Sequence, residues 1–172
     1  MVAFRHISWT EYGDLVEKLA KKVSARRPHY DLVIGIARGG IPVAMVISDR
    51  LGTKVDIVNV KSYTGIAERL RPKILSTLTE DITGENLLLV DDLVDGGDTM
   101  RTVIDFLSLE SPTKITTAVI FRKPWSKFEP DFFLETVDEW IVFPWEKGEV
   151  GRLRKRSDRS TPSPLRPTPQ LS

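Results

Sequence analysis

The stretch Leu87 to Arg101, LLLVDDLVDGGDTMR, decides how the rest of the chain is read. Leu87, Leu88, Leu89 and Val90 form an unbroken apolar run, the pattern of a strand buried on both faces of a parallel sheet. The run is expected to end at two carboxylates, Asp91 and Asp92, on the sheet edge where ligands of open α/β folds sit. Asp95, Gly96, Gly97, Asp98 and Thr99 follow, and behind them Val103, Ile104 and Leu107 recur with helical period. A glycine-rich turn opening a helix presents backbone N–H groups and a positive dipole end to an anion, usually a phosphate. Acids able to hold sugar hydroxyls or Mg²⁺ therefore stand beside a phosphate cradle within one loop. That combination suits a phosphorylated sugar; the plainer alternative is a strand end with a solvated acidic turn.

Other phosphate motifs are missing. A strand followed by Asp-Asp also occurs in nucleotide hydrolases, but the chain contains no G-x-x-x-x-G-K-[ST]. Gly35 to Gly40, GIARGG, does not fit the dinucleotide pattern G-x-G-x-x-G. At 172 residues, 41% hydrophobic and 28% charged, the chain suits one ordinary globular domain. It has no cysteine, which excludes disulfide and thiolate chemistry. With no signal-like segment and no apolar run of about 18 residues, a cytoplasmic protein without membrane contact is expected.

The net charge of +1 conceals a division after Gly151. Residues 152–172, RLRKRSDRSTPSPLRPTPQLS, hold six basic residues, one acid and four prolines. Residues 1–151 hold 19 basic and 23 acidic residues. Proline and serine richness without apolar periodicity cannot offset ordering entropy, so a folded domain over 1–151 and a disordered tail are expected. A solubilising extension is favoured for the tail over a nucleic-acid or membrane-surface patch.

Elsewhere strands and helices alternate. Ser8 and Glu11 have capping-box spacing before Leu15, Leu19, Ala20 and Val23. Asp31 to Ala37 reads as a buried strand, Pro42 opens the next helix and Gly52 closes it. Val55 to Lys61 and Lys114 to Arg122 read as further strands. The order predicts a mostly parallel sheet covered by helices.

Three more strand-end loops carry chemistry. In Ala37-Arg38-Gly39-Gly40, glycines allow close backbone approach and Arg38 can fork onto a phosphate. Lys61-Ser62-Tyr63, followed by Arg69, Arg71 and Lys73, reads as a charged surface loop. After the strand ending at Arg122, Lys123 can donate to a ring carbonyl, and Trp140 beside Ile141 can stack on a flat base. Trp125 and Trp145 read as core. His6 and His29 have no companion ligands and receive no metal or catalytic role.

From about Trp9 to Val150 these four motifs, in this order, resemble the type I phosphoribosyltransferases. The likeness is greatest to the xanthine-guanine and hypoxanthine-guanine types. The resemblance implies an α/β fold, a central mostly parallel sheet flanked by helices, with a mobile lid loop and a small C-terminal base-binding hood. It implies a purine salvage transferase that makes a nucleoside 5′-monophosphate and pyrophosphate from phosphoribosyl pyrophosphate (PRPP) and guanine, hypoxanthine or xanthine. Asp91 and Asp92 would hold the PRPP ribose and Mg²⁺, and Asp95 would take the proton of the purine. Asp95, Gly96, Gly97, Asp98 and Thr99 would surround the 5′-phosphate. Ala37, Arg38 and Gly39, with Lys61 and Arg69 from the lid, would hold pyrophosphate, and the peptide before Arg38 would be cis. Lys123, Trp140 and Ile141 would bind the base. Relatives assemble as homodimers or homotetramers. One position departs from the pattern: Gly96 stands where a Thr or Ser is usual, which removes a hydroxyl contact to the phosphate. Two alternatives stay open. One is a phosphoribosyltransferase for another base; the other is a PRPP-binding regulator whose basic tail binds nucleic acid.

Overall fold

A computed structural model describes residues 3–26, 29–64 and 69–146, with side chains throughout except at 62–64 and 69–71. The tail at 152–172 lies outside the described residues. The chain divides into two units, a large one over Gly13–Asp138 and a small one joining the segments on either side of it.

The large unit is built on six strands: β2 (Leu32–Ala37), β3 (Lys54–Thr64), β4 (Arg69–Ile74), β5 (Asn86–Val94), β6 (Lys114–Arg122) and β7 (Phe132–Thr136). Their order across the sheet is β4-β3-β2-β5-β6-β7, parallel except for the antiparallel β3–β4 pair. Helix α2 (Gly40–Leu51) carries β2 to β3, and α3 (Asp98–Ser108) carries β5 to β6. Leu32, Ile34 and Ile36 of β2 pack with Leu87 and Leu89 of β5 and with Met100, Val103 and Leu107 of α3. The opposite face takes α2: a Cβ on Gly35 would lie 2.9 Å from the Ala44 Cβ. Strands covered on both faces need apolar residues at every position, which is why β2 and the first half of β5 show no polar alternation. The two crossovers run in opposite directions over opposite faces, as a shared right-handed sense requires.

Local signals behave as the sequence indicates. Helix α1 (Trp9–Ser24) is capped by Ser8, whose Oγ accepts the Glu11 N–H at 3.1 Å, and it buries Leu15, Leu19, Ala20 and Val23. Gly52 ends α2 at φ 65°, the left-handed conformation that favours glycine. In the small unit β1 (Phe4–His6) pairs in parallel with β8 (Trp140–Val142).

Two boundaries differ from the sequence reading. Asp91 and Asp92 lie within β5 rather than beyond it, because β6 continues to pair there (Asp91 with Val119, Leu93 with Phe121). The charged stretch after Lys61 is also not a plain loop. β3 and β4 form a hairpin, pairing Val60 with Ile74 and Lys61 with Lys73 across an irregularity before Tyr63. Cross-strand bonds satisfy the backbone there, so the side chains need not be apolar.

Candidate active site

Strands β2 and β5 are neighbours only as far as Gly35 and Val90. Beyond that pair β2 stays with β3 and β5 stays with β6, so the sheet forks. The chain leaves β2 toward one edge and β5 toward the other, which makes this the topological switch point where ligands of open α/β sheets bind. The loop Arg38-Gly39-Gly40 fills the base of the fork. A Cβ on Gly40 would lie 2.4 Å from the Val90 carbonyl oxygen, and one on Gly39 would lie 2.0 Å from Asp92 Oδ2. At Gly40 only glycine permits that approach to backbone, and at Gly39 a side chain would displace the Asp92 carboxylate. The Ala37–Arg38 peptide is cis, as the resemblance implies, and Arg38 is exposed.

The acids of β5 face this loop. The Asp92 N–H donates to Asp91 Oδ1 at 2.9 Å. Loss of water raises the Asp91 pKa well above the ordinary carboxyl range, and the neighbouring Asp92 charge adds to the rise. The Gly40 amide and the Asp92 amide offset part of it. Two adjacent carboxyls held this way favour a cation or sugar hydroxyls as partners.

Past Val94 the chain turns through Asp95, Gly96 and Gly97 into α3. Gly97 caps the helix at φ 95° and brings no side chain to its first N–H groups. These amides, with Asp98 and Thr99 in the first turn, stand where the sequence analysis expects a phosphate. A Cβ on Gly97 would strike the Phe128 Cβ at 2.4 Å, so the turn is packed against the segment that follows β6.

Against this geometry, the family model for the phosphoribosyl transferase domain matches residues 8–149. The chain belongs to that family. It is 34% identical over 153 residues to a xanthine-guanine phosphoribosyltransferase of Ruegeria sp. (strain TM1040), covering 82% of this chain and 84% of that protein. A second enzyme of that name, from Idiomarina loihiensis, is 33% identical over 143 residues, covering 81% and 85%. A solved purine phosphoribosyltransferase from Pyrococcus horikoshii matches with a TM-score of 0.74 and 30% identity, covering 84% of this chain and 94% of the other.

The remaining expected positions of this phosphoribosyltransferase fall in three places. Lys123 follows β6; it is 5% exposed, and its amide donates to the Val94 carbonyl at 2.9 Å. Trp140 and Ile141 are on β8 in the small unit, Trp140 exposed beside its register partner Phe4 and Ile141 buried. Lys61 is exposed on the β3 arm of the hairpin, while the side chains of Arg69 and Arg71 lie outside those described. Among the described residues no group of three or more His, Cys, Asp or Glu is arranged to hold a metal, and neither histidine takes part in one.

Trp125 corrects the sequence reading. It is 56% exposed rather than core, and its Nε1–H donates to Asp95 Oδ1 at 2.7 Å. The Lys123 Nζ sits 5.5 Å from the same ring's centroid. A tryptophan after a strand usually joins the core, and the partner here is 30 residues away, so no local spacing announces it. Trp145 is half-buried, stacked on Phe143 at 5.0 Å and edge-on to Tyr12 at 4.9 Å.

Proposed function

We propose that this phosphoribosyltransferase serves purine salvage, joining guanine, hypoxanthine or xanthine to the anomeric carbon of PRPP with release of pyrophosphate. The observation that carries the reading is the fork between β2 and β5, which sets Arg38-Gly39-Gly40 directly against Asp91 and Asp92, one short turn before the α3 N-terminus. Pyrophosphate, ribose and 5′-phosphate are the three parts of PRPP, and the succession of glycine loop, acids and helix N-terminus supports their binding in that order.

In this reading the bond between the anomeric carbon and pyrophosphate breaks ahead of attack, and its electron pair leaves with the pyrophosphate. A purine nitrogen then bonds to that carbon, and the proton on purine N7 passes to Asp95. Arg38 and the Gly39 backbone hold the leaving group, and Asp91 and Asp92 hold the ribose hydroxyls. The amides of Gly96 and Gly97, with Asp98 and Thr99, hold the 5′-phosphate.

Mg²⁺ takes one or two carboxylates plus substrate oxygens, and the adjacent Asp91 and Asp92 fit that donor set. When bound, the ion would neutralise charge on the departing pyrophosphate. The β3–β4 hairpin, with Lys61 and Arg69, would act as the lid that keeps water from the sugar cation. Assembly as a homodimer or homotetramer belongs to the same reading.

Lys123 makes the base specificity testable. A buried ammonium is satisfied by a carbonyl at purine position 6 and opposed by the amino group of adenine. Sites built on such a bond discriminate by roughly 10⁴–10⁵. With PRPP and Mg²⁺, guanine or hypoxanthine should release pyrophosphate, and adenine, orotate and uracil hardly any. Lys123→Ala should erase most of the difference, while Trp140→Ala should weaken all purines alike. Preferred turnover of adenine or a pyrimidine would overturn the base assignment; no turnover of any base would favour the PRPP-binding regulator.

A further inference from the structure

The segment after β6 is pinned to the Asp95 turn along its length. The Lys123 N–H donates to the Val94 carbonyl at 2.9 Å and the Lys127 N–H to that of Gly96 at 3.3 Å. The Arg101 guanidinium bonds the Lys127 carbonyl, and Phe128 lies against Gly97. Between these anchors Ser126 N–H closes a tight turn on the Lys123 carbonyl at 3.0 Å, which projects Trp125 outward. The Trp125 side chain is half-exposed, so burial of its ring does not account for its placement. What it does have is a donor-only N–H 2.7 Å from a carboxylate oxygen and an ammonium 5.5 Å from its ring centroid.

We propose that Trp125 is a positioning residue for Asp95, linking the proton acceptor to the buried ammonium of Lys123. The inference rests on the reading of Asp95 given above. An aspartate on an exposed glycine-flanked turn samples several rotamers, whereas proton transfer needs it within hydrogen-bond reach of one purine nitrogen. The indole fixes Oδ1 and leaves Oδ2 to receive the proton. The Lys123 charge near the ring draws electron density toward itself, which polarises the indole N–H and strengthens its bond to the carboxylate. The residue expected to recognise the 6-oxo group and the residue expected to take the N7 proton are thereby held in one piece.

The test is a double-mutant cycle on the full chain between Trp125→Phe and Asp95→Asn, with pyrophosphate release as readout. Phenylalanine keeps an aromatic ring for Lys123 and removes the donor together with part of the indole's area. In the parent, Trp125→Phe should lower kcat roughly 10-fold or more, with KM for PRPP and the melting temperature close to parental values. In the Asp95→Asn background the same change should have almost no effect on kcat. An equal loss in both backgrounds, or parental kcat in the single variant, would overturn the proposal. So would a raised purine KM at unchanged kcat, which would make Trp125 a stacking surface. Near-parental turnover of Asp95→Asn alone is a separate outcome, since it would remove Asp95 from proton transfer.

Discussion

Asp91 and Asp92 are adjacent, partly exposed carboxyls, and desolvation of Asp91 with the Asp92 charge beside it pushes the Asp91 pKa up. Asp95, three residues past Asp92, is different: it is exposed, and an indole N–H orients it. In the proposed reading the first environment holds hydroxyls and a cation, and the second moves a proton. Asp95→Asn keeps the shape and removes the basic oxygen, so kcat should fall by roughly 10²–10⁴. PRPP affinity, measured by calorimetry on the same variant, should change little. A large loss of affinity would instead mean that Asp95 serves the 5′-phosphate. At this scale the acids and glycines were legible because carboxylates interrupt an unbroken apolar run and glycines follow it before a periodic helix, whereas Trp125 was not, since nothing within its own segment distinguishes a core indole from a tether.

Among the elements, β3 depends on a buried acid that no functional motif includes. Asp56 is 9% exposed and accepts the N–H of Ile57 and of Thr79 at 2.7 Å, the Thr79 hydroxyl at 3.0 Å and the Glu80 N–H at 3.2 Å. Burial alone would raise its pKa, but these four bonds outweigh it and hold the carboxyl below its usual value. They tie the segment after β4 to β3 and so brace the hairpin that carries Lys61. A group with a depressed folded pKa contributes stability above its unfolded value, about pH 4, and loses that contribution as the pH falls. Asp56→Asn should therefore cost about 1–3 kcal/mol at neutral pH. The gap in melting temperature between variant and parent should narrow as the pH is lowered from about 6 to 3. A constant gap would show that the carboxylate charge is not what matters. Strand identities were readable here from the apolar runs; the reach of β5 to Val94 and the hairpin pairing were not, because both depend on which neighbouring strand remains to bond.

For the whole molecule, the charge division after Gly151 leads to one further expectation. The segment at 152–172 has the composition of a chain that cannot form a core, and the family match ends at residue 149. Truncation after Gly151 should leave turnover, melting temperature and oligomeric state unchanged. Loss of activity, or a smaller particle by sedimentation, would make the tail part of an interface. Within the large unit, the sequence by itself determined the alternation of apolar runs and periodic segments, hence a helix-covered parallel sheet, and it marked the glycine and acid positions at strand ends. Those properties are local, because burial on both faces and, at Gly97, a positive φ impose their residue types directly. Only the tertiary structure decided that β2 and β5 part after Gly35 and Val90, that Gly40 therefore seats on the Val90 carbonyl, and that an indole from beyond β6 reaches Asp95. Such contacts depend on strand order across the sheet, and strand order arises from packing between segments far apart in the chain rather than from the residues within any one of them.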